Sequence, residues 1–105
     1  MTGILNFAPA LAEVFTERQR QADKFGHTTK ADFDAYWKAT NGRTHLASVA
    51  VRFSDSALDH MSVGALKTAR KFAVKAAASN LALVELIDRV IDHTGAPAGD
   101  LDNAA

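Results

Sequence analysis

The sequence predicts an all-α fold, a single four-helix bundle-like domain with one long C-terminal helix. First, apolar residues recur at intervals of three and four along most of the chain, which is the spacing of one helix face. Second, Ala and Leu, which favour helices, are common in these stretches. Third, no segment alternates apolar and polar residues as a half-buried strand does. We expect the helical domain over residues 1–95 and a disordered tail over residues 96–105.

The longest helix is predicted from Ser62 to His93, where no Pro interrupts the pattern and Gly occurs only near the ends. At about 1.5 Å per residue it is roughly 45 Å long, so shorter helices can pack along it. Ser62 is its expected N-cap, and Pro97 prevents its continuation. Its main apolar face is predicted to consist of Leu66, Ala69, Phe72, Ala73, Ala76, Leu83, Val84, Ile87, Val90 and Ile91.

Three shorter helices are predicted before the long one, each bounded by residues that cap or terminate helices. The first has Asn6 as its expected N-cap and Gly26 as its terminator. The second begins where Thr29 starts an approximate capping box, and it ends at residues 41–42. The third follows Thr44, which can cap it.

Several polar residues in these helices have predicted positions. Arg18 lies in the middle of the apolar stripe of the first helix, so it needs an acidic partner on the long helix or at Asp32. Asn80 lies close to the main apolar face of the long helix, so we expect it to be buried with hydrogen-bond partners. Glu13 and Glu17 project from the opposite side of the first helix and are expected to be solvated.

Charge and cysteine content exclude several classes of protein. Twelve basic and twelve acidic residues leave no net charge, so the field that attracts nucleic acid or an anionic membrane is absent. Without Cys there are no disulfides, thiolate chemistry or Cys-based zinc sites, which suits the cytoplasm. No apolar run approaches the ~20 residues of a membrane span. No Gly-rich phosphate loop or HExxH pattern occurs, and we assign no catalytic residue.

A second stripe of the long helix, called the charged stripe below, is basic in its first half and acidic in its second. This is the reverse of what the helix dipole favours. An antiparallel copy would place Lys67 opposite Asp92 and Lys71 opposite Asp88, as a two-fold dimer requires. We therefore predict a homodimer through it; the alternative is that another helix of the same chain, or solvent, takes these charges. The charged stripe consists of Lys67, Lys71, Val74, Ala78, Leu81, Glu85, Asp88 and Asp92.

The acidic end of this stripe has a second interpretation. Glu85, Asp88 and Asp92 follow one another at intervals of three and four, which places them on one side of the helix. Carboxylate oxygens are the protein ligands that Mg²⁺ prefers. A Mg²⁺ site at these residues is therefore an alternative to a basic partner.

Two stretches resemble segments of small helical proteins common in phages and prophages. ERQRQADKFGHT, beginning at Glu17, matches an E-R-x-R-Q segment followed by Gly, an aromatic residue or His, and Thr; an acidic pair follows, here Asp32 and Asp34. ARKFAVKAAASNLALVELIDR, ending at Arg89, matches their final helix. Those proteins are distantly similar to the MazG-type all-α nucleotide pyrophosphohydrolases, which bind Mg²⁺ through an ExxE on one helix and an ExxD on the next.

The resemblance implies that Glu85 and Asp88 correspond to the second of these elements. The third helix contains no Glu that could supply the first. We therefore favour a non-catalytic, phage-type protein that acts through protein–protein contacts as a homodimer, with a host protein as a second candidate partner and no cofactor. The alternative is a divergent or degenerate Mg²⁺-dependent nucleotide pyrophosphohydrolase that uses Glu85, Asp88 and Asp92. A DNA-binding helix is disfavoured because the same helix becomes acidic further on.

Overall fold

The computed structural model of the chain confirms the all-α fold and describes residues 7–38 and 45–94. The predictions for Asn6, for residues 41–44 and for the tail over residues 96–105 fall outside these ranges. None of the described helices is long and apolar enough to cross a membrane. The described residues form α1 (Ala8–Phe25), α2 (Thr29–Lys38), α3 (His45–Ser62) and α4 (Leu66–Thr94).

The turn between α1 and α2 is set by one Gly and one Thr. Gly26 ends α1 as predicted, because its φ of 73° is the left-handed conformation that Gly adopts without strain. Its N–H donates to the carbonyl of Ala22 at 3.1 Å. The cap of α2 is Thr28 rather than Thr29, since the Thr28 hydroxyl accepts the N–H of Ala31 at 3.1 Å. Thr29 is already the first residue of the helix.

The turn between α3 and α4 lies later than the sequence predicts. Ser62 does not cap the long helix; it is the last residue of α3, and its hydroxyl donates to the carbonyl of Leu58 at 2.9 Å. The chain reverses at Gly64, whose φ is 77°. α4 then begins at Leu66. The prediction was wrong because a Ser hydroxyl can bond back into its own helix as well as cap the next one.

α4 is the central element, and α3 packs along it in the opposite direction. Leu46, near the start of α3, clusters with Ala82 and Leu86 in the second half of α4. His60, near the end of α3, stacks on Phe72 in the first half of α4, with ring centroids 5.2 Å apart. Together α3 and α4 form an antiparallel hairpin, in which the middle of one helix lies beside the middle of the other.

α1 and α2 cover other parts of α4. α1 lies alongside the first half of α4 and runs in the same direction, since Glu13 pairs with Arg70 near the start of α4 and Gln21 contacts Ser79 in its middle. α2 covers the C-terminal part of α4, where the ring of Phe33 meets that of His93 at 5.5 Å. Small side chains let the helices approach closely at these contacts. The buried residues of α4 are Ala69, Ala76, Ala78, Ser79, Ala82 and Leu86.

Candidate functional site

Residues of the E-R-x-R-Q segment form a polar network that ties α1 to α4 and to the start of α2. Arg18 donates from Nε to Glu85 Oε2 at 2.8 Å and from Nη1 to the carbonyl of His27 at 2.7 Å. Thr29 donates its hydroxyl to the other oxygen of Glu85 at 3.2 Å. The Arg18 side chain is only 12% exposed. Of the two predicted acidic partners for Arg18, the structure therefore shows the one on the long helix, while Asp32 pairs with His27.

The buried amide between α1 and α4 is Gln21, a residue that the sequence analysis did not select. Its Nε2 donates to Glu17 Oε2 and to the carbonyl of Lys75, both at 3.2 Å, and its Oε1 accepts the hydroxyl of Ser79 at 3.4 Å. Gln21 is 3% exposed. Its spacing of three from Arg18 was the signal that it shares the same face of α1.

Asn80 is exposed, which contradicts the prediction that it is buried. The buried polar residue of α4 is Ser79, one position earlier. One residue is a rotation of about 100° around a helix, so the two side chains point in different directions. Ser79 lies in the contact with α1, whereas Asn80 is exposed to solvent.

Glu17 is also not solvated as predicted. Arg20 donates to its two oxygens at 2.8 and 2.7 Å, and the ammonium of Lys75 lies 3.8 Å from Oε2. The hydrogen bonds from Arg20, with the charge of Lys75 and the bond from Gln21, lower the pKa of the Glu17 carboxyl, although partial burial opposes this. Glu17 therefore helps to attach α1 to α4 when it is ionised.

We expect the protein to lose part of its stability in acid through Glu17. A carboxyl whose folded-state pKa is lowered contributes stability that is present above the unfolded pKa of about 4.3 and disappears as the pH falls through the folded value. The thermal midpoint of the wild type should therefore fall more steeply than that of Glu17→Gln below this pH, as measured by circular dichroism. Asp34→Asn is the control, since Asp34 forms an exposed pair with Lys30. Parallel pH profiles for wild type and Glu17→Gln would contradict the prediction.

The charged stripe is covered at its centre by α1 of the same chain, so the predicted dimer through this stripe is wrong. Ala78 is 0% exposed, and Val74 and Leu81 are partly buried. The carboxylate of Glu85 is paired with Arg18. A second copy cannot reach a fully buried Ala78. At the centre of the stripe the alternative applies, because Arg18 of α1 in the same chain pairs with the charge of Glu85. The ends of the stripe remain exposed at Lys67, Lys71, Asp88 and Asp92.

The three predicted Mg²⁺ ligands differ in their surroundings. Both oxygens of Glu85 accept hydrogen bonds from other side chains, and Asp88 and Asp92 are exposed to solvent. Within residues 7–38 and 45–94, no group of three or more His, Cys, Asp or Glu side chains is placed to hold a metal ion.

One side of the α3–α4 hairpin carries large apolar residues that are exposed in the single chain; we call it the open face. On α4 it includes Leu66, Val84, Ile87 and Ile91, which the sequence analysis assigned to the core. That assignment was wrong because the three neighbouring helices cover only part of the circumference of α4. The α3 side of the open face contains Val51, Leu58 and Met61.

The residues of the open face form one stripe along α3 and one along α4. Their spacing along each helix is suited to packing against another helix. Ala47 links the two stripes, since it lines one pocket with Ile87 and Ile91; Tyr36 of α2 lines the same pocket. The stripe on α3 runs through Ala47, Val51, Ser54, Leu58 and Met61. The stripe on α4 consists of two series of residues seven apart, namely Leu66, Ala73, Asn80 and Ile87, and Arg70, Ala77, Val84 and Ile91, all of them exposed.

The fold and this face define the class of the protein, an all-α bundle with an uncovered apolar side. Comparison with protein-family models, with curated proteins and with solved structures finds no match to the chain. The similarity to small phage proteins and to MazG-type enzymes therefore stays a prediction from the residues that carry it.

Proposed function

We propose that the protein is a non-catalytic interaction protein that forms a homodimer through the open face. The observation that carries this proposal is the exposure of seven large apolar side chains on one side of the α3–α4 hairpin. An apolar patch of this extent on a small soluble protein marks an interaction site. The phage-type role and a host partner belong to the same proposal, and they rest on the resemblance alone.

The α4 stripe is complementary to an antiparallel copy of itself. If two α4 helices cross about a point between residues 78 and 79, each position of the stripe meets another position of the same stripe. In the two pairs nearest the centre a small residue faces a larger one, which allows close helix packing. The four pairs across the two copies are Leu66 with Ile91, Arg70 with Ile87, Ala73 with Val84, and Ala77 with Asn80. Arg70 keeps its ion pair with Glu13 of its own chain.

The exposed charges of α4 fit the same arrangement. Lys67 lies beside the stripe near the start of α4, and Asp88 lies beside it near the end. In the antiparallel pair, Lys67 of each copy falls next to Asp88 of the other. Neither side chain has an ion-pair partner among residues 7–38 and 45–94 of its own chain. The charge distribution therefore favours the antiparallel arrangement over a parallel one, which would bring like charges together.

The α3 stripe is self-complementary about its own midpoint, between residues 52 and 53. Ala47 meets Leu58 of the second copy there, and Val51 meets Ser54. This midpoint lies beside that of α4, because the Leu46 cluster and the His60–Phe72 stack flank both at similar distances along the hairpin. One two-fold axis therefore satisfies both stripes. The product is a four-helix bundle in which the two hairpins pack face to face.

The open face also offers enough apolar contact for such a dimer. Burying the exposed half of one large apolar side chain contributes roughly 1 kcal/mol. Two copies bring seven such side chains each, and their combined contribution is of the same order as the cost of association, estimated at about 4–15 kcal/mol. Sedimentation velocity of the full chain over the micromolar range should show a concentration-dependent dimer. A monomer throughout that range would contradict the proposal.

Disulfide cross-linking tests the antiparallel register, because the natural chain has no Cys. A mixture of Ala73→Cys chains and Val84→Cys chains should form a mixed disulfide dimer under mild oxidation. Val84→Cys alone should cross-link poorly, since the two copies of residue 84 are then roughly 16 Å apart along the helix. Efficient cross-linking of Val84→Cys with itself would indicate a parallel dimer and contradict the proposed arrangement.

The nucleotide pyrophosphohydrolase stays the alternative proposal, and it rests on the resemblance of Glu85 and Asp88 to a metal-binding element. Pyrophosphate release from nucleoside triphosphates with Mg²⁺ tests it. Release that Asp88→Asn abolishes in a folded variant would contradict the non-catalytic proposal.

A further inference from the structure

A cleft with a volume of about 410 Å³ lies away from the open face, between the end of α1, the turn that follows it and the first half of α3. Phe25 and Phe53 form apolar parts of its wall. Gln21 and Ser79 line its inner part, where α1 contacts α4. The volume lies within the range of about 300–1,000 Å³ that is typical of small-molecule sites.

The titratable groups that line this cleft are all basic. They are His27, His45 and Arg52, and no acidic side chain lines the cleft. The rings of His27 and His45 are stacked with their centroids 6.4 Å apart. Arg52 is exposed and has no ion-pair partner in the described part of the chain. A guanidinium without a carboxylate partner is available to bind an anionic group with two parallel hydrogen bonds.

The histidine at the inner edge is held in one orientation. His27 Nδ1 lies 3.0 Å from Asp32 Oδ1. An ionised carboxylate only accepts hydrogen bonds, so this contact favours the tautomer with the proton on Nδ1, in which Nε2 is a hydrogen-bond acceptor. Asp32 is buried behind the ring and does not line the cleft. His45 lies in the first turn of α3, where the helix dipole is positive and favours an anion.

We propose that this cleft binds a small organic anion, a phosphate or carboxylate attached to an apolar ring. The anionic group contacts the Arg52 guanidinium in the part of the cleft that the two histidine rings line, and the apolar ring packs against Phe25 and Phe53. This arrangement places the charge at the basic residues and the apolar part against the aromatic wall. The proposal is independent of the dimer, because the open face lies on the side of α3 that carries Val51 and Leu58.

Phenyl phosphate is a suitable probe for this site, with inorganic phosphate and benzyl alcohol as partial probes. We expect phenyl phosphate to change the amide chemical shifts of residues around the cleft when it is titrated into the protein. The two partial probes should bind more weakly, since each supplies only half of the interactions. Equal binding of inorganic phosphate and phenyl phosphate would overturn the role of the aromatic wall.

Arg52→Gln should weaken the binding of phenyl phosphate by about tenfold, which is the effect of losing a charge-assisted hydrogen bond. The variant should fold normally because the Arg52 side chain is exposed. Arg89→Gln is the matched control, since Arg89 lies over the ring of Phe33 and does not line the cleft. Unchanged affinity in Arg52→Gln, or chemical-shift changes confined to other surfaces, would overturn the proposal.

Discussion

Replacing Val84 with Glu is expected to convert the dimer into a monomer without unfolding the four helices. Val84 is 53% exposed in the single chain, so a charged side chain can remain in water there. In the dimer it would face Ala73 of the second copy, where a carboxylate has no hydrogen-bond partner. Each dimer contains this contact twice. We expect the dissociation constant to rise by at least about 100-fold, equivalent to roughly 3 kcal/mol, in sedimentation velocity.

Phe15→Glu is the matched control for this variant. Phe15 is also a large exposed apolar residue, but it lies on α1, outside the open face. The control should keep the wild-type dissociation constant, and circular dichroism should show that both variants remain helical. Dissociation by Phe15→Glu together with an unchanged dimer in Val84→Glu would show that a different surface carries the association.

Replacing Leu86 with Ala is expected to lower the free energy of unfolding by about 3 kcal/mol. Leu86 is 2% exposed and clusters with Leu46 and Ala82 between α3 and α4. The truncation leaves a cavity among helices that small residues already hold close together, so the surrounding side chains cannot fill it completely. Urea denaturation should be measured at a protein concentration where the chain is monomeric, because dimer formation adds to the apparent stability.

Ile87→Ala provides the comparison for Leu86→Ala on the neighbouring residue. Ile87 is about half exposed and belongs to the open face. Its truncation should change the stability of the monomer by less than about 1 kcal/mol, but it should weaken the dimer. Equal losses of monomer stability in the two variants would mean that Ile87 is part of the protomer core, which would contradict the assignment of the open face.

The polar network between α1 and α4 was predictable from the sequence only in part. The position of Arg18 within an apolar stripe indicated that it needs a partner, and Glu85 is that partner. Gln21 lies three residues after Arg18, a spacing that places the two side chains on the same face of α1. Ser79 could not be distinguished from Asn80 by sequence, because the choice depends on which side of α4 packs against α1.

The sequence by itself determined the class of the fold and most helix positions, because helix periodicity, the absence of interior Pro and a terminator such as Gly26 act locally along the chain. Tertiary structure alone decided which side of α4 is buried. α4 carries apolar residues on more than one side, so several rotations about its axis would bury similar amounts of apolar surface. The polar contacts of Arg18 and Gln21 and the packing of Leu46 select one rotation, which covers Ala78 and leaves Val84 exposed.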